Sequence, residues 1–420
     1  MKNYRRILAF LILILIPAAL ALRGQTIGMN GEIRSRIEYR DGFRKPLADT
    51  LQPATIASLR TRIQLDYSSE KIKTKIILQD ARIYGQTGTT DTRNSLGIYE
   101  AWGSYSVTPH FSVTLGRQGL EYDDKRLFTV ANWSYTGRAH DMLLLKYESP
   151  DLFDIHAGVA RNNDGDNESE TLYTVEKNYK ALTYIWLGKS FRQWNISAIW
   201  INDAFDRAND TGSLTDGKIF RNTIGGNLGL GNETHPLSLY ATGYYQFGRD
   251  MQDMTLDAYL LAMNVKYQPS VAWNVIAGVD YFSGSAAEDI RDNKNKTFNK
   301  LYGSNNSFNG MMEYWTTPPV QGLCDLYGAI TISLLPGFDA NASFHSFALV
   351  RQLDGTNKKN IGAETDLTLN YSLSQQLSLQ AGWSVYFKNR QTDILKGADT
   401  RSPHWGYVML TFKPQWIPTK

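Results

Sequence analysis

The 420-residue sequence has one cysteine, Cys324, which rules out an internal disulfide and any cysteine-based metal cluster. Its six histidines are scattered, without the two-histidine helical spacing used by zinc sites. Beyond residue 22 no stretch approaches the ~20 consecutive apolar residues of a membrane-spanning helix. Mean hydropathy is −0.36. No Pro/Gly/Ser-rich linker divides the chain, and no repeat of propeller-blade size is present. Net charge is nearly absent as well. Of the 44 basic residues, Lys2, Arg5 and Arg6 precede an apolar leader, and the remaining 41 face 41 acidic residues. Any charge preference must therefore come from placement rather than total, and no nucleic-acid partner is expected.

The leader runs from Ile7 to Leu22 behind those three cations and passes through Ala19-Leu20-Ala21. Charge, length and small residues fit a secretory signal peptide over residues 1–21, with cleavage after Gly24 as the rival. A membrane-anchoring helix is the alternative, but the run is short for a full span. Residues 22–420 then form one domain.

The dominant pattern after the leader has period two. From Gly28 to Arg40 alternate residues are Gly28, Asn30, Glu32, Arg34, Arg36, Glu38 and Arg40, and the intervening set is Ile27, Met29, Gly31, Ile33, Ser35, Ile37 and Tyr39. That spacing puts the two sets on opposite faces of a strand. About eighteen such segments recur to residue 413, with almost no helical periodicity between them. Short connections such as 69–70, 108–110 and 269–270 alternate with long polar ones such as 163–178, 206–216 and 284–322. The expected fold is all-β: a transmembrane antiparallel barrel of about 18 strands with short periplasmic turns and long extracellular loops. A soluble sandwich or propeller would not explain the alternation in loop length.

Lipid-facing series are legible as Leu59, Thr61, Ile63, Leu65, Tyr67; as Phe111, Val113, Leu115; and as Leu377, Leu379, Ala381, Trp383, Val385, Phe387. Tyr39, Tyr67, Tyr147, Trp194, Trp200, Trp273, Tyr371 and Trp405 are expected in aromatic girdles at the two membrane interfaces. The opposite parity is basic in the first third. Arg34, Arg36, Arg40, Arg60, Arg62, Lys73 and Lys75 are expected to form one patch on the lumen wall, since adjacent strands lie ~4.8 Å apart. Arginine presents a planar fork that matches a carboxylate. A pore lined this way concentrates anions, while Glu32, Glu38 and Asp66 on the same face moderate the hold. The alternative is that lumen Arg–Glu pairs only brace the wall.

The stretch Gly116-Arg117-Gln118-Gly119-Leu120-Glu121-Tyr122-Asp123-Asp124-Lys125-Arg126-Leu127, with Asn132-Trp133 and Thr136-Gly137-Arg138, resembles the signature region of the alginate-export barrels. Residues 301–314, Gly362-Ala363-Glu364-Thr365-Asp366-Leu367 and Trp405–Pro414 are similar to further stretches of that family. The resemblance implies an eighteen-stranded barrel whose arginine-rich lumen passes a polyuronate. It also implies pore-lining or substrate-contacting roles for Arg117, Arg126 and Arg138. In one departure, Asn306 stands where members carry histidine. In another, the parity of Phe111, Val113 and Leu115 points Arg117 at lipid, so a bulge at Gly116 is expected to turn it inward.

Weaker signals weigh less. The oxygen-rich 162–168 segment lacks EF-hand spacing and reads as a solvated loop. Ser134 and His140 are close in sequence, but nothing marks them as nucleophile and base. Loop 284–322 is longer than a connection needs and reads as a plug or lid, with an exposed surface loop as the alternative. The sequence thus predicts a passive, non-enzymatic outer-membrane channel of a Gram-negative bacterium for anionic solutes such as acidic saccharides. Its counter-charges would be Arg34, Arg36, Arg60, Arg62, Lys75, Arg117, Arg126 and Arg138. It needs no cofactor and no metal, its partners are lipid and cargo, and export would require periplasmic partners. A general porin and an outer-membrane barrel hydrolase are the alternatives.

Overall fold

The computed structural model describes residues 24–90, 95–208, 214–231, 235–397 and 401–417; the signal-peptide assignment falls outside them. The first thirteen strands are β1 (Thr26–Asp41), β2 (Ala54–Ser68), β3 (Ile72–Ile83), β4 (Leu96–Ser106), β5 (Phe111–Gln118), β6 (His140–Tyr147), β7 (Asp154–Arg161), β8 (Ala181–Phe191), β9 (Trp194–Ala208), β10 (Leu214–Leu230), β11 (Leu237–Arg249), β12 (Thr255–Ser270) and β13 (Trp273–Phe282). A two-residue β14 (Lys294–Asn295) lies in the following loop. Then come β15 (Leu323–Leu335), β16 (Phe338–Ala348), β17 (Asn360–Ser374), β18 (Leu377–Phe387), β19 (His404–Phe412) and a short β20 (Gln415–Ile417).

Eighteen long strands pair antiparallel with their neighbours, and β19 pairs with β1 from Ile33↔Phe412 to Asp41↔His404. Closure removes both sheet edges, so the strand backbone of the wall is satisfied within the sheet, as lipid requires. The short connections gather at one rim. Thr26 pairs with Ser68 beside one of them, and Ile417 pairs with Met29, so both described ends lie at that rim.

Alternation sorts the faces as expected. Ile27, Ile33, Ile37, Leu65, Leu115, Leu379, Trp383 and Phe387 are exposed on the outside, while Arg34, Arg36, Glu38, Ser58 and Arg60 are buried within. Three details differ from the sequence reading. Trp405 is not in a girdle: it is fully buried on the lumen face and donates its indole N–H to Glu38. The chain does not end its pairing at Phe412. It resumes with β20 on β1, where Pro414 accepts a hydrogen bond from the Gly31 amide and Trp416 lies where any Gly31 Cβ would be. The third difference is two short helices, α1 (Ala287–Arg291) and α2 (Arg390–Lys396); the second is capped by Asn389, whose side chain accepts from Gln391 and Thr392.

The barrel has an interior core. On β12, Leu256, Ala258, Leu260 and Ala262 are buried towards the lumen, although Tyr259, Leu261 and Met263 face outward. A strand apolar on both faces needs something apolar inside the barrel. Two loops supply it: 119–139, with Leu120, Leu127 and Phe128, and 283–322, with Phe298, Tyr302, Met312, Tyr314 and Trp315. The long loop is therefore internal, and of the two sequence readings the structure selects the plug.

A constriction built from two loops and an arginine wall

The register of β1 on β2 sets Arg34 directly opposite Arg60 and Glu32 opposite Arg62. Like charges facing each other across a ladder destabilise it unless something intervenes. Here the tip of loop 119–139 intervenes. Arg34 donates to the carbonyls of Asn132 (2.6 Å), Trp133 (3.3 Å) and Ser134 (2.7 Å). Arg60 donates to the carbonyls of Asn132 and Ser134, both at 3.1 Å, and to the Asn132 side chain. Arg36 donates to the Trp133 carbonyl and lies 4.5 Å from the centre of its ring. Carbonyl oxygens satisfy guanidinium hydrogen bonds without cancelling their charge. Five arginines (34, 36, 40, 60, 62) share this wall with three carboxylates, Glu32, Glu38 and Asp66, the last accepting from Gln64. Glu32 is held by Arg60, and Glu38 by Arg36 and Arg40.

The second loop locks onto the first. Tyr302 pairs with Phe128 in a short parallel bridge, its N–H donating to the Leu127 carbonyl at 3.0 Å and its carbonyl accepting from the Thr129 N–H at 3.1 Å. The Tyr302 hydroxyl reaches Asp203 on β9 (2.8 Å), which also holds Arg221. Further along, the Met312 amide donates to Glu364 on β17, Tyr314 donates to the Gly42 carbonyl, and the Trp315 indole donates to Tyr386 on β18. The loop thus crosses the lumen from β13 to the β1–β2 connection.

The arginines singled out by resemblance sit elsewhere than expected. Arg126 is 3% exposed and forms a two-pronged pair with Asp280 on β13 (2.7 Å each), while its Nε donates to Asp124 (2.7 Å). Its guanidinium lies 3.9 Å from the Phe308 ring centre. Arg138 spends its bonds on the carbonyls of Tyr302 and Gly303, and burial pulls its pKa below the ordinary arginine value. Both fasten loop to loop or loop to wall. Arg117 is a correction in the full sense. Gly116 does adopt φ 126°, but pairing runs unbroken through Gly116↔Met142 and Arg117↔Asp141, so parity holds and Arg117 faces outward. It pairs with Asp141 (2.7 Å) at the loop end of the barrel, where an outward charge costs only ~0–1 kcal/mol. The variant R117L should therefore leave conductance and ion preference unchanged in bilayer recordings.

The other two candidates lie beside the clamp. Arg62 donates to Gln79 and stacks over Tyr99 at 3.7 Å. Lys75 lies 5.7 Å from the Trp102 ring centre. Lys300 is a buried ammonium of the long loop that no sequence motif marks. Burial pushes it down to about 8, assisted by Arg126 and opposed by Asp280. Asp280 and Asp203 were equally unmarked, while Trp133 and Tyr302 stood in family-like stretches without a role, although the two-faced apolar pattern of β12 was available as a sign of internal packing. Ser134 and His140 are not brought together: the Ser134 hydroxyl meets Thr136, and His140 meets the Tyr179 hydroxyl. Among the described residues no group of three or more His, Cys, Asp or Glu is arranged to hold a metal ion.

A closed eighteen-stranded barrel with an outer apolar band and loops folded into its lumen defines an outer-membrane transport protein. The family model for alginate export matches residues 25–390, and the chain belongs to that family. Its fold is similar to that of solved barrels at low identity. Pseudomonas aeruginosa OpdO has a TM-score of 0.65 at 11% identity, covering 93% of this chain and 97% of its own. Acinetobacter baumannii OccAB4 has 0.63 at 12%, covering 94% and 100%. Pseudomonas aeruginosa OccK11 has 0.61 at 9%, covering 93% and 96%. No match was found among curated proteins. Family and barrel together mark an outer-membrane channel of a Gram-negative bacterium rather than an enzyme.

Proposed function

We propose that residues 22–420, after removal of a leader ending at Ala21, form a single barrel that passes anionic solutes, acidic saccharides of the uronate type in particular, by passive diffusion. The observation that carries this reading is the clamp of neutral carbonyls on the arginine wall. It fixes the constriction loop yet leaves a surplus of positive charge beside the remaining path. In a narrow space with low-dielectric walls such a surplus raises the local concentration of anions. Arg34, Arg36 and Arg60 act here through their field, because their donors are occupied. Arg62, bonded to Gln79 and stacked on Tyr99, and Lys75 extend the same face along β2 and β3. Cargo follows its gradient, and export against one would draw on periplasmic partners.

Single-channel recording of the refolded mature protein under a salt gradient tests this. An anion-biased reversal potential together with saturable block by oligogalacturonate is the expected result. Conductance with neither would leave a general porin, and a cation bias would overturn the reading.

A further inference from the structure

On the short-turn side of the constriction, the lumen faces of β3 to β7 enclose a recess of about 430 Å³, roofed by Gly119–Tyr122. That volume falls in the range of small-molecule sites, roughly 300–1,000 Å³. Lys73 and Lys75 enter it from β3, Trp102 and Ser104 from β4, Ser112 and Thr114 from β5, and Lys146 from β6. The register makes the grouping unavoidable, since Lys75 is opposite Trp102 and Ser112 is opposite Lys146.

The three lysines differ from the other lumen cations described above. Arg34, Arg36, Arg60, Arg126 and Arg138 are all committed to protein oxygens. Among the described residues Lys73, Lys75 and Lys146 have no carboxylate within ion-pair distance, although Glu100, Glu121 and Glu148 also line the recess and Asp66 stands opposite Lys75 in the β2–β3 register. Glu121 pairs with Lys125 and Glu148 with His156, and Glu100 accepts the Trp102 indole N–H. Tyr122 closes the roof, its hydroxyl bonded to His156 and Tyr184, so its position is fixed.

We propose that this recess is a binding site for acidic saccharides on the periplasmic face of the constriction. Lys75 and Lys146 hold the carboxylate, Trp102 offers its face to the sugar ring, and Ser104, Ser112 and Thr114 exchange hydrogen bonds with ring hydroxyls. Ammonium groups give charge-assisted bonds to a carboxylate. An indole provides a flat apolar surface with a polar edge already satisfied by Glu100. The site rests on the anionic-saccharide reading above, to which it adds a location and a set of contacts. It lies on the side from which a secreted polymer would enter.

The test is titration calorimetry of the detergent-solubilised full-length mature barrel with tri-galacturonate, and with maltotriose as the neutral counterpart. The variant K75Q/K146Q should weaken tri-galacturonate binding about ten-fold or more, the loss expected when charged hydrogen bonds are removed. W102L should weaken it in an otherwise unchanged barrel, with heat-modifiability reporting the fold. Reversal potential of K75Q/K146Q should stay on the anion side but move towards zero, because Lys75 is one of the lumen counter-charges while the arginine wall is intact. Undiminished tri-galacturonate binding in both variants, or equal binding of maltotriose, would overturn the site while leaving the anion-channel reading standing. A wild-type barrel without anion bias would instead remove the reading, and lysine-dependent binding would still locate the recess as a site.

Discussion

Changing Arg34 and Arg60 together to glutamine should widen the channel, with single-channel conductance rising several-fold and open-state noise increasing. The two guanidinium groups make six hydrogen bonds to residues 132–134 of the constriction loop. At ~0.5 kcal/mol apiece, the low end for a net hydrogen bond, six bonds favour the docked loop by roughly 100-fold. Glutamine is shorter and offers two donors, so it can neither span the same carbonyls nor leave the same charge. Loss of the clamp frees the tip of a loop that otherwise projects into the lumen. The control is R62Q, because Arg62 contacts Gln79 and Tyr99 rather than the loop carbonyls; its conductance should remain near that of the wild type. A double variant with unchanged conductance and merely reduced anion bias would show that the two arginines line the path instead of holding the loop.

Barrel architecture was legible in the sequence because a membrane imposes it. Period-two alternation, alternating loop length and the absence of any spanning helix each follow from satisfying the backbone in lipid. The arginine cluster was legible too, since its side chains share parity on adjacent strands. Its partners were not. Whether Arg34 meets a solute or the Trp133 carbonyl depends on where a loop about 100 residues away folds back, and period two carries nothing about that. Arg117 shows the opposite failure. Parity placed it outward, the family motif argued for inward, and the unbroken register of β5 on β6 sides with parity. The glycine beside it takes a positive φ without adding a residue to the strand, and without an extra residue no side chain changes face. Trp405 erred through its position alone, as an aromatic near a strand end that parity assigned inward, towards Glu38.

The larger thermodynamic effect should come from R126Q. Arg126 and Asp280 are both almost wholly excluded from solvent and share two 2.7 Å bonds. Breaking such a pair from one side strands the other charge, at a cost of about 3–5 kcal/mol. D280N should cost a similar amount by leaving Arg126 with Asp124 alone. In R126M/D280L neither charge is stranded, and Asp124 keeps its bond from Thr242 (3.1 Å); the double variant should therefore be far less destabilised than the two single variants combined. Urea titration of the folded, heat-modifiable form gives all three midpoints. Additive losses would mean that the groups act independently, contrary to their geometry. The pair also couples stability to gating. Arg126 lies in the segment that bridges to Tyr302, and its carbonyl occupies the space where a Gly303 Cβ would stand. Loosening its anchor on β13 therefore loosens the contact between the two lumen loops. Conductance of R126Q should fluctuate between levels even where the barrel itself remains folded. R117L removes an arginine of the same motif from the outer face and should show a single level.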